Sequence, residues 1–234
     1  MKYTKIENIV LVGTSHIAEE SVKNVRAVIE HFPNAIVGVE LDKQRFYGLI
    51  HDQKSAGFSF TTIKRFGLKG AVFAAVAAKV TEKLAKHVGT KPGADMLAAI
   101  ETAAKKKLTI ALLDQPIQIT LQRFSQKLTW KEKWNFFADI ITGFVMPGKT
   151  MKKYGLGEFN LKKVPPEEII EKLLGYVEKR YPEIYTVLIT ERNAYMVRKI
   201  QQFQRKYPEK IIIAVIGAAH VSGMKKLLEL PRKL

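Results

Sequence analysis

Two segments with the pattern Gly-x-x-His follow apolar stretches at opposite ends of the chain. Near the N-terminus IVLV leads into Gly13 to His16, and near the C-terminus IIIAVI leads into Gly217 to His220. Both apolar stretches have the composition of strands that are covered on two faces. Two distant strands that end on the same turn and the same residue predict one shared functional site. The plain alternative is that each histidine is a polar surface residue in a loop.

Carboxylates follow two further apolar stretches, with Glu40 after residues 35–39 and Asp114 after residues 108–113. The carboxyl ends of parallel strands lie along one edge of a sheet, and neighbouring strands are about 4.8 Å apart. The sequence therefore predicts that His16, Glu40, Asp114 and His220 converge. Two histidines with one or two carboxylates suit a catalytic divalent metal with an open position. The alternative for a carboxylate such as Asp114 is a cap on the next helix.

Two arginines raise a related question. Helical spacing places Arg192 within an apolar arc, where an unpaired charge is very costly. Its partner is then either a carboxylate (Glu40, Asp95 or Asp114) or an anionic group of a substrate. Arg45, just beyond Glu40, poses the same question on a shorter helix. Lesser candidates for the site are Thr14, Ser15, Asp95 and Glu191.

The order of the remaining elements predicts an α/β fold with a small, mostly parallel sheet. Strands are expected at about 8–12, 35–39, 108–113 and 210–216, and Asp42 is expected to cap a helix over 43–52. Helices are expected from about 18 to 32, over 63–88, 94–106 and 117–127, from Pro165 or Pro166, over 182–206, and from about 221. We interpret residues 1–234 as one domain, with helical insertions at about 54–106 and 116–206 that form a cap.

Composition narrows the classes of partner and ligand. The chain has 234 residues, a formal charge of +17 and no cysteine, so any metal is held by His, Asp, Glu or water. Lysines occur as scattered pairs and triplets, which favours a solvated basic surface over an anionic membrane surface, and both over nucleic acid. The alanine-rich segment 67–80 is too short to span a bilayer, which takes roughly 20 apolar residues. It is a candidate core helix or homo-oligomer interface. No signal peptide is visible, which favours a cytoplasmic chain.

Five segments together resemble the signatures of the TraB family, which includes the pheromone-shutdown protein PrgY. The resemblance extends from about residue 9 to 224 and rests on GTSHIAEESVKNVRAVIEHFPNAIVGVELDKQR, PGADMLAAIETAAKKK, TIALLDQPIQITLQR, TVLITERN and AVIGAAHVSGM. The family is similar to the Tiki proteases and to the erythromycin-esterase and ChaN-like group. The resemblance implies an α/β core with helical insertions. Many family members continue into C-terminal transmembrane helices, so the alternative location is the soluble part of a membrane protein.

The resemblance also implies a chemistry. The Tiki branch implies metal-dependent peptide cleavage, with His16, Glu40 and His220 around a divalent ion such as Mn, Co or Zn. Arg45 and Arg192 would be nearby polar groups. The family usually has arginine where Gln115 stands.

Three functional hypotheses follow. A metal-dependent hydrolase would act on peptides, with Asp114 as a general base and an arginine on the substrate or oxyanion. A non-catalytic protein would bind a peptide or a membrane surface in the same crevice. The third hypothesis is a metal-free esterase with a histidine base.

Overall fold

The fold is a five-stranded mixed sheet covered by helices on both faces. A computed structural model describes residues 1–15, 19–51, 93–129, 131–132, 135, 139 and 166–230. Its strands are β1 (Thr4–Ile6), β2 (Ile9–Thr14), β3 (Ala35–Val39), β4 (Thr109–Leu112) and β5 (Ile211–Gly217). The order across the sheet is β1-β2-β5-β3-β4. The predicted α/β class with a mostly parallel sheet is therefore confirmed.

The four longer strands are parallel because helices connect them. β2 pairs with β5, β5 with β3, and β3 with β4, all in parallel register. Only β1 is antiparallel, and it pairs with β2 through a tight connection at Glu7 and Asn8. Glu7 has a positive φ of 51°, as the two-residue turn requires. This edge strand was not predicted.

The two strands that carry the Gly-x-x-His motifs are neighbours in the sheet. Gly13 pairs with Ile216 and Thr14 pairs with Gly217, so the two motifs are offset by one residue. The Thr14 hydroxyl donates a hydrogen bond of 3.1 Å to the carbonyl of Ile216, which ties the two strand ends together. The prediction that distant parts of the sequence meet at one sheet edge is confirmed for these strands.

Helices α1 (Glu19–His31) and α3 (Ala94–Lys105) cover one face of the sheet. Their apolar side chains form a fully buried cluster with β2, β3 and β5, in which Val25, Val28 and Ala99 have no exposed surface. Helices α7 (Glu191–Lys206) and α8 (Ala218–Glu229) cover the other face, where Met196, Ile200 and Met224 are buried. Apolar strands are thus covered on both sides, as their sequences indicated.

The remaining helices lie beside this core. They are α2 (Lys43–Ile50), α4 (Ile117–Lys127), α5 (Glu167–Arg180) and the short α6 (Pro182–Tyr185). The bounds of β3 and α4 and the capping role of Asp42 are confirmed, since Asp42 accepts a hydrogen bond of 2.8 Å from the backbone N–H of Arg45. The predicted helix over 63–88 and the alanine-rich segment lie outside the described residues. In the part of the chain that is described, no helix is long and apolar enough to cross a membrane.

One expectation about the helices was wrong, and another was confirmed in its bounds but with a local change of helix type. The last helix begins at Ala218 and not near 221, so His220 lies in a helical first turn instead of a loop. The helix expected over 182–206 is a continuous helical run, but residues Thr186–Thr190 form a π-helical turn between α6 and α7. The extra residue per turn changes which side chains of α7 face the sheet edge. This π turn ends two residues before Arg192.

Candidate polar centre at the sheet edge

Three strand ends and two helices, α2 and α7, bring five polar residues together, which we call the polar centre: Glu40, Arg45, Asp114, Arg192 and His220. Glu40 follows β3 and Asp114 follows β4, while His220 lies in the first turn after β5. Because β5, β3 and β4 are adjacent, these three residues occur side by side along one edge. The predicted His16 lies outside the described residues, so its place in the site stays a prediction.

Arg192 is the hub of the polar centre. Its guanidinium donates two hydrogen bonds to Asp114, from Nε to Oδ1 at 3.1 Å and from Nη2 to Oδ2 at 2.6 Å. Nη2 also donates to Glu40, and Nη1 donates to the carbonyl of Leu188 at 3.3 Å. Nη1 lies 3.2 Å from Nε2 of His220. All five N–H groups of Arg192 therefore have a partner.

Arg192 thus pairs with Glu40 and Asp114, two of the three carboxylates that the sequence offered. The buried Asp95 lies in the first turn of α3 and does not contact the guanidinium. Two ion pairs at one guanidinium explain how the charge is tolerated in an apolar arc. With every donor engaged within the protein, Arg192 has none left for a substrate carboxylate.

His220 is oriented through both ring nitrogens. Nδ1 lies 2.6 Å from Oδ1 of Asn193, and since an amide oxygen only accepts, Nδ1 carries the proton. Nε2 then presents its lone pair to the centre, 3.2 Å from Arg192 Nη1 and 3.3 Å from Glu40 Oε1. The side chain of His220 is 4% exposed. This arrangement, with one nitrogen held by an outer partner and the other presented, occurs in metal-ligating histidines and in general bases.

Glu40, like His220, has a partner at each of its two polar atoms. Its Oε2 accepts a hydrogen bond of 2.6 Å from the backbone N–H of Gly217, at the N-terminus of α8. Its Oε1 faces Arg192 and His220. A carboxylate at a helix N-terminus is favoured by the helix dipole. Both oxygens of Glu40 therefore have partners within the protein.

Asp114 joins the two arginines. Its Oδ2 accepts from Nη2 of Arg192 and from Nη2 of Arg45, while Oδ1 accepts from the backbone N–H of Gln115 at 2.8 Å. Burial raises the pKa of Asp114, but the charges and hydrogen bond of Arg192 and the charge of Arg45 outweigh it, so the pKa lies below its usual value. Asp114 is consequently a carboxylate acceptor and not a protonated acid.

The other candidates have structural partners. Buried Gln115, at the position where the family resemblance implies arginine, donates to the hydroxyl of Thr120 at 2.8 Å and so braces the start of α4. Glu191 points to the surface, where it pairs with Arg123 at 2.7 Å and with Lys127 at 3.1 Å. Two other histidines, His31 and His51, are exposed.

The described residues of the polar centre do not by themselves fit a divalent metal as they are placed, and His16, the third predicted ligand, lies outside the described residues. No group of three or more His, Asp or Glu side chains within the described ranges is arranged to hold an ion. Glu40 and His220 offer the right donor types, but the guanidinium of Arg192 lies against both of them and takes the place of the cation. Glu40 and Asp114 are already balanced by Arg192 and Arg45, so a divalent ion would bring uncompensated charge.

Comparison with known proteins assigns the sequence of this chain to a family. A sequence model of the TraB/PrgY/gumN family matches residues 2–234. The chain belongs to the TraB/PrgY/gumN family. Every member of the polar centre lies within the matched range. The family resemblance inferred from the motifs is therefore confirmed for the whole chain.

Curated relatives of this TraB-family chain are longer. The uncharacterized protein MJ1365 of Methanocaldococcus jannaschii is 29% identical over 222 residues, which cover 95% of this chain and 53% of that protein. TraB domain-containing proteins of mouse and human are each 21% identical and match 92% of this chain and 61% of their own length. The chain thus spans between half and two thirds of the length of these relatives.

Two contributors to the site, Asn193 and Gly223, were missed by sequence reasoning, and so was a second capping contact of Asp42. Asn193 follows Arg192 in TVLITERN, so the only available signal was its position within a motif. Gly223 lies three residues after His220, on the same side of α8, and a Cβ there would come within 2.3 Å of Asn193 Nδ2. Asp42 accepts from the N–H of Arg45 and also, at 2.6 Å, from that of Ile117, so one carboxylate caps both α2 and α4.

Proposed function

We propose that this TraB-family chain is a hydrolase that acts on peptides at the polar centre. The observation that carries the proposal is the state of His220, whose Nδ1 is held at 2.6 Å by Asn193 while Nε2 is directed at Glu40. An imidazole held in one tautomer beside a carboxylate is suited to move a proton. The centre also lies beyond the carboxyl ends of parallel strands, where open α/β sheets bind ligands.

In the proposed reaction, Nε2 of His220 exchanges its contact with Nη1 of Arg192 for one with the attacking water, and it accepts a proton from that water. Glu40 Oε1, at 3.3 Å, stabilises the imidazolium that forms. Arg192 forms ion pairs with both Glu40 and Asp114, and these two contacts fix the positions of the two carboxylates relative to each other. Asp114 is a positioning group in this scheme, since its two oxygens are occupied by arginines and by a backbone N–H. The oxygen of the water bonds to the carbonyl carbon of the peptide, and the C–N bond breaks as the proton passes from Nε2 to the leaving nitrogen.

Metal dependence remains a separate part of the hypothesis. The family resemblance implies an ion held by His16, Glu40 and His220, whereas the geometry at Arg192 supports the metal-free form. Titration calorimetry of chelator-treated protein with Mn²⁺, Co²⁺ and Zn²⁺ distinguishes the two forms. Tight binding that is lost in both His16→Ala and His220→Ala supports the metal form. Folded wild-type protein that binds none of these ions supports the metal-free form.

The test of hydrolysis is a digest of a defined peptide mixture, read by mass spectrometry, with and without added divalent ions. We expect the wild-type protein to cleave and His220→Ala to fail under both conditions. His31→Ala is the matched control, because His31 is an exposed residue at the end of α1. Equal cleavage by wild type and His220→Ala would overturn the proposal.

A non-catalytic peptide-binding protein is the second candidate. The observation in its favour is that the network around Arg192 is already fully paired, as a purely structural ion-pair cluster would be. This candidate predicts that the peptide mixture binds without cleavage and that His220→Ala binds as well as wild type. The digest and a binding assay on the same mixture separate the two candidates.

A further inference from the structure

The two arginines of the polar centre differ in how many donors they have left. Arg192 uses all five of its N–H groups within the protein. The guanidinium of Arg45 makes one hydrogen bond in the described part of the chain, from Nη2 to Asp114. Its Nε is buried, has no hydrogen-bond partner there and lies 3.6 Å from Asp42 Oδ2. The donors left for a ligand are the two N–H groups of Nη1 and the second N–H of Nη2. Arg45 therefore retains donors for a ligand and Arg192 does not.

Arg45 is also the member of the polar centre that solvent reaches. Its side chain is 34% exposed, against 14% for Arg192, 4% for Glu40 and 1% for Asp114. The two guanidiniums share one oxygen, Oδ2 of Asp114. The Oδ2 atom of Asp114 therefore connects Arg45 to Arg192. Of the two arginines, Arg45 is the one that is more exposed to solvent. A ligand that approaches the centre meets Arg45 first.

The charge around Arg45 favours an anion. Arg45 lies in the first turn of α2, where the helix dipole disfavours a cation, so helix stability does not explain its presence. The negative charge of Asp42 is opposed by the N-termini of α2 and α4, which it caps. Asp114 in turn is shared with Arg192. Both carboxylates beside Arg45 are therefore shared with other positive groups, which leaves Arg45 able to attract an anionic ligand.

We propose that Arg45 binds a carboxylate of the peptide ligand and so sets which peptides the polar centre accepts. The carboxylate is either the C-terminus of the peptide or an Asp or Glu side chain, since both present the same two oxygens to a guanidinium. The inference rests on the proposed function in that it names the ligand class of the same centre. It requires binding only, and holds whether or not the peptide is cleaved.

The test compares three synthetic peptides by titration calorimetry on the whole chain. The first is N-acetyl-trialanine with a free carboxylate, the second is its C-terminal amide, and the third is the amide with a central glutamate. Arg45→Gln is the test variant. Arg198→Gln is the matched control, because Arg198 is exposed on α7 and, among the described residues, its guanidinium bonds only to the carbonyl of Ala194 at 3.2 Å.

The wild-type protein should bind at least one carboxylate peptide roughly ten- to a hundredfold more tightly than the plain amide, as expected for a charge-assisted hydrogen bond. Arg45→Gln should abolish that preference and Arg198→Gln should keep it. Preference for the first peptide assigns a C-terminal carboxylate, and preference for the third assigns an acidic side chain. Arg45→Lys, which keeps the charge with Asp114 but lacks the planar fork, should lose part of the preference. It replaces Arg45→Gln if that variant does not fold.

Two results would overturn the inference. One is equal binding of all three peptides, and the other is a carboxylate preference that survives in Arg45→Gln. The proposed hydrolase can still be correct in either case, because cleavage of the mixture is measured independently. Conversely, an Arg45-dependent preference without any cleavage supports this inference and contradicts hydrolysis.

Discussion

The Nδ1 atom of His220 lies 2.6 Å from the Oδ1 atom of Asn193. This contact fixes the ring through the nitrogen that does not contact Glu40, and it leaves Nε2 to the polar centre. The two residues are on different helices, α8 and α7, which pack together over the same face of the sheet. The tautomer of His220 is therefore set by the packing of two helices.

Replacing Asn193 with alanine should weaken catalysis more than it weakens folding. We expect kcat for peptide cleavage to fall about 10- to 100-fold with little change in KM, the range seen when an outer partner of a reactive histidine is removed. Kinetics on a single peptide substrate give both constants. Asn24→Ala is the control, because Asn24 is a surface residue that bonds to the backbone of Lys2.

Nuclear magnetic resonance supplies a readout that does not depend on activity. The ¹⁵N shifts of His220 should show a protonated Nδ1 in the wild-type protein and a mixture of tautomers in Asn193→Ala. A wild-type protein with the proton on Nε2 would contradict the role assigned to Asn193.

The Gly223→Ala variant should fold with a stability close to that of the wild-type protein but should lose activity. A Cβ at this position would lie 2.3 Å from Nδ2 of Asn193, so the amide must swing away from His220. Loss of that hydrogen bond opposes the better helix propensity of alanine, and the free energy of unfolding should change by less than about 2 kcal/mol. Activity should fall as in Asn193→Ala.

Gly175→Ala is the matched control for this substitution. Gly175 also lies within a helix, α5, and a Cβ there would meet nothing within 4 Å. We expect it to stabilise the chain by about 1 kcal/mol in urea denaturation and to leave activity unchanged. Full activity of Gly223→Ala would show that Asn193 does not position the histidine.

Loss of Arg192 should destabilise the chain strongly. Arg192→Met leaves Glu40 and Asp114 as buried carboxylates without their shared cation, which costs about 3–5 kcal/mol in comparable buried pairs. Chemical denaturation measures the difference from wild type. Arg198→Met, an exposed residue of the same helix, should change the free energy of unfolding by less than about 0.5 kcal/mol. Similar small effects for both variants would mean that Arg192 does not carry the charge balance of the centre.

The contribution of Asp114 to stability should depend on pH. Its pKa is lower in the folded chain than its ordinary value because the two arginines outweigh the effect of burial. The stabilisation is therefore present above the unfolded pKa of about 4 and is lost as pH falls through the folded pKa. The difference in unfolding free energy between wild type and Asp114→Asn should be largest at neutral pH and should shrink below about pH 4. A difference that stays constant into acid would contradict this account.

The bounds of a strand or helix could be predicted from the sequence where they depend only on the residues of that element. β3 and α4 were predicted at their observed bounds because an apolar run and a Pro-started helix need only their own residues. Convergence of Glu40, Asp114 and His220 followed from one rule about parallel sheets. The same rule could not give the strand order, in which β5 inserts between β2 and β3.

Other features depend on contacts that no local pattern records. β1 has three residues, Thr4 to Ile6, which is too short for an alternation to be visible. The π turn before Arg192 looks like ordinary helix in the sequence. Helical spacing indicated that Arg192 needs a carboxylate, but only tertiary structure shows that it takes two and keeps no free donor. The roles of the two arginines could therefore not be separated from sequence.

The central claim is that the polar centre is a reaction centre and not a structural ion-pair cluster. The most direct measurement is the rate of peptide cleavage by His220→Gln beside its free energy of unfolding. Glutamine keeps a polar side chain for Asn193 but cannot take up a proton at neutral pH. We predict that cleavage falls by about a hundredfold or more, while stability stays within about 1–2 kcal/mol of wild type. Unchanged cleavage, with stability preserved, would contradict the claim.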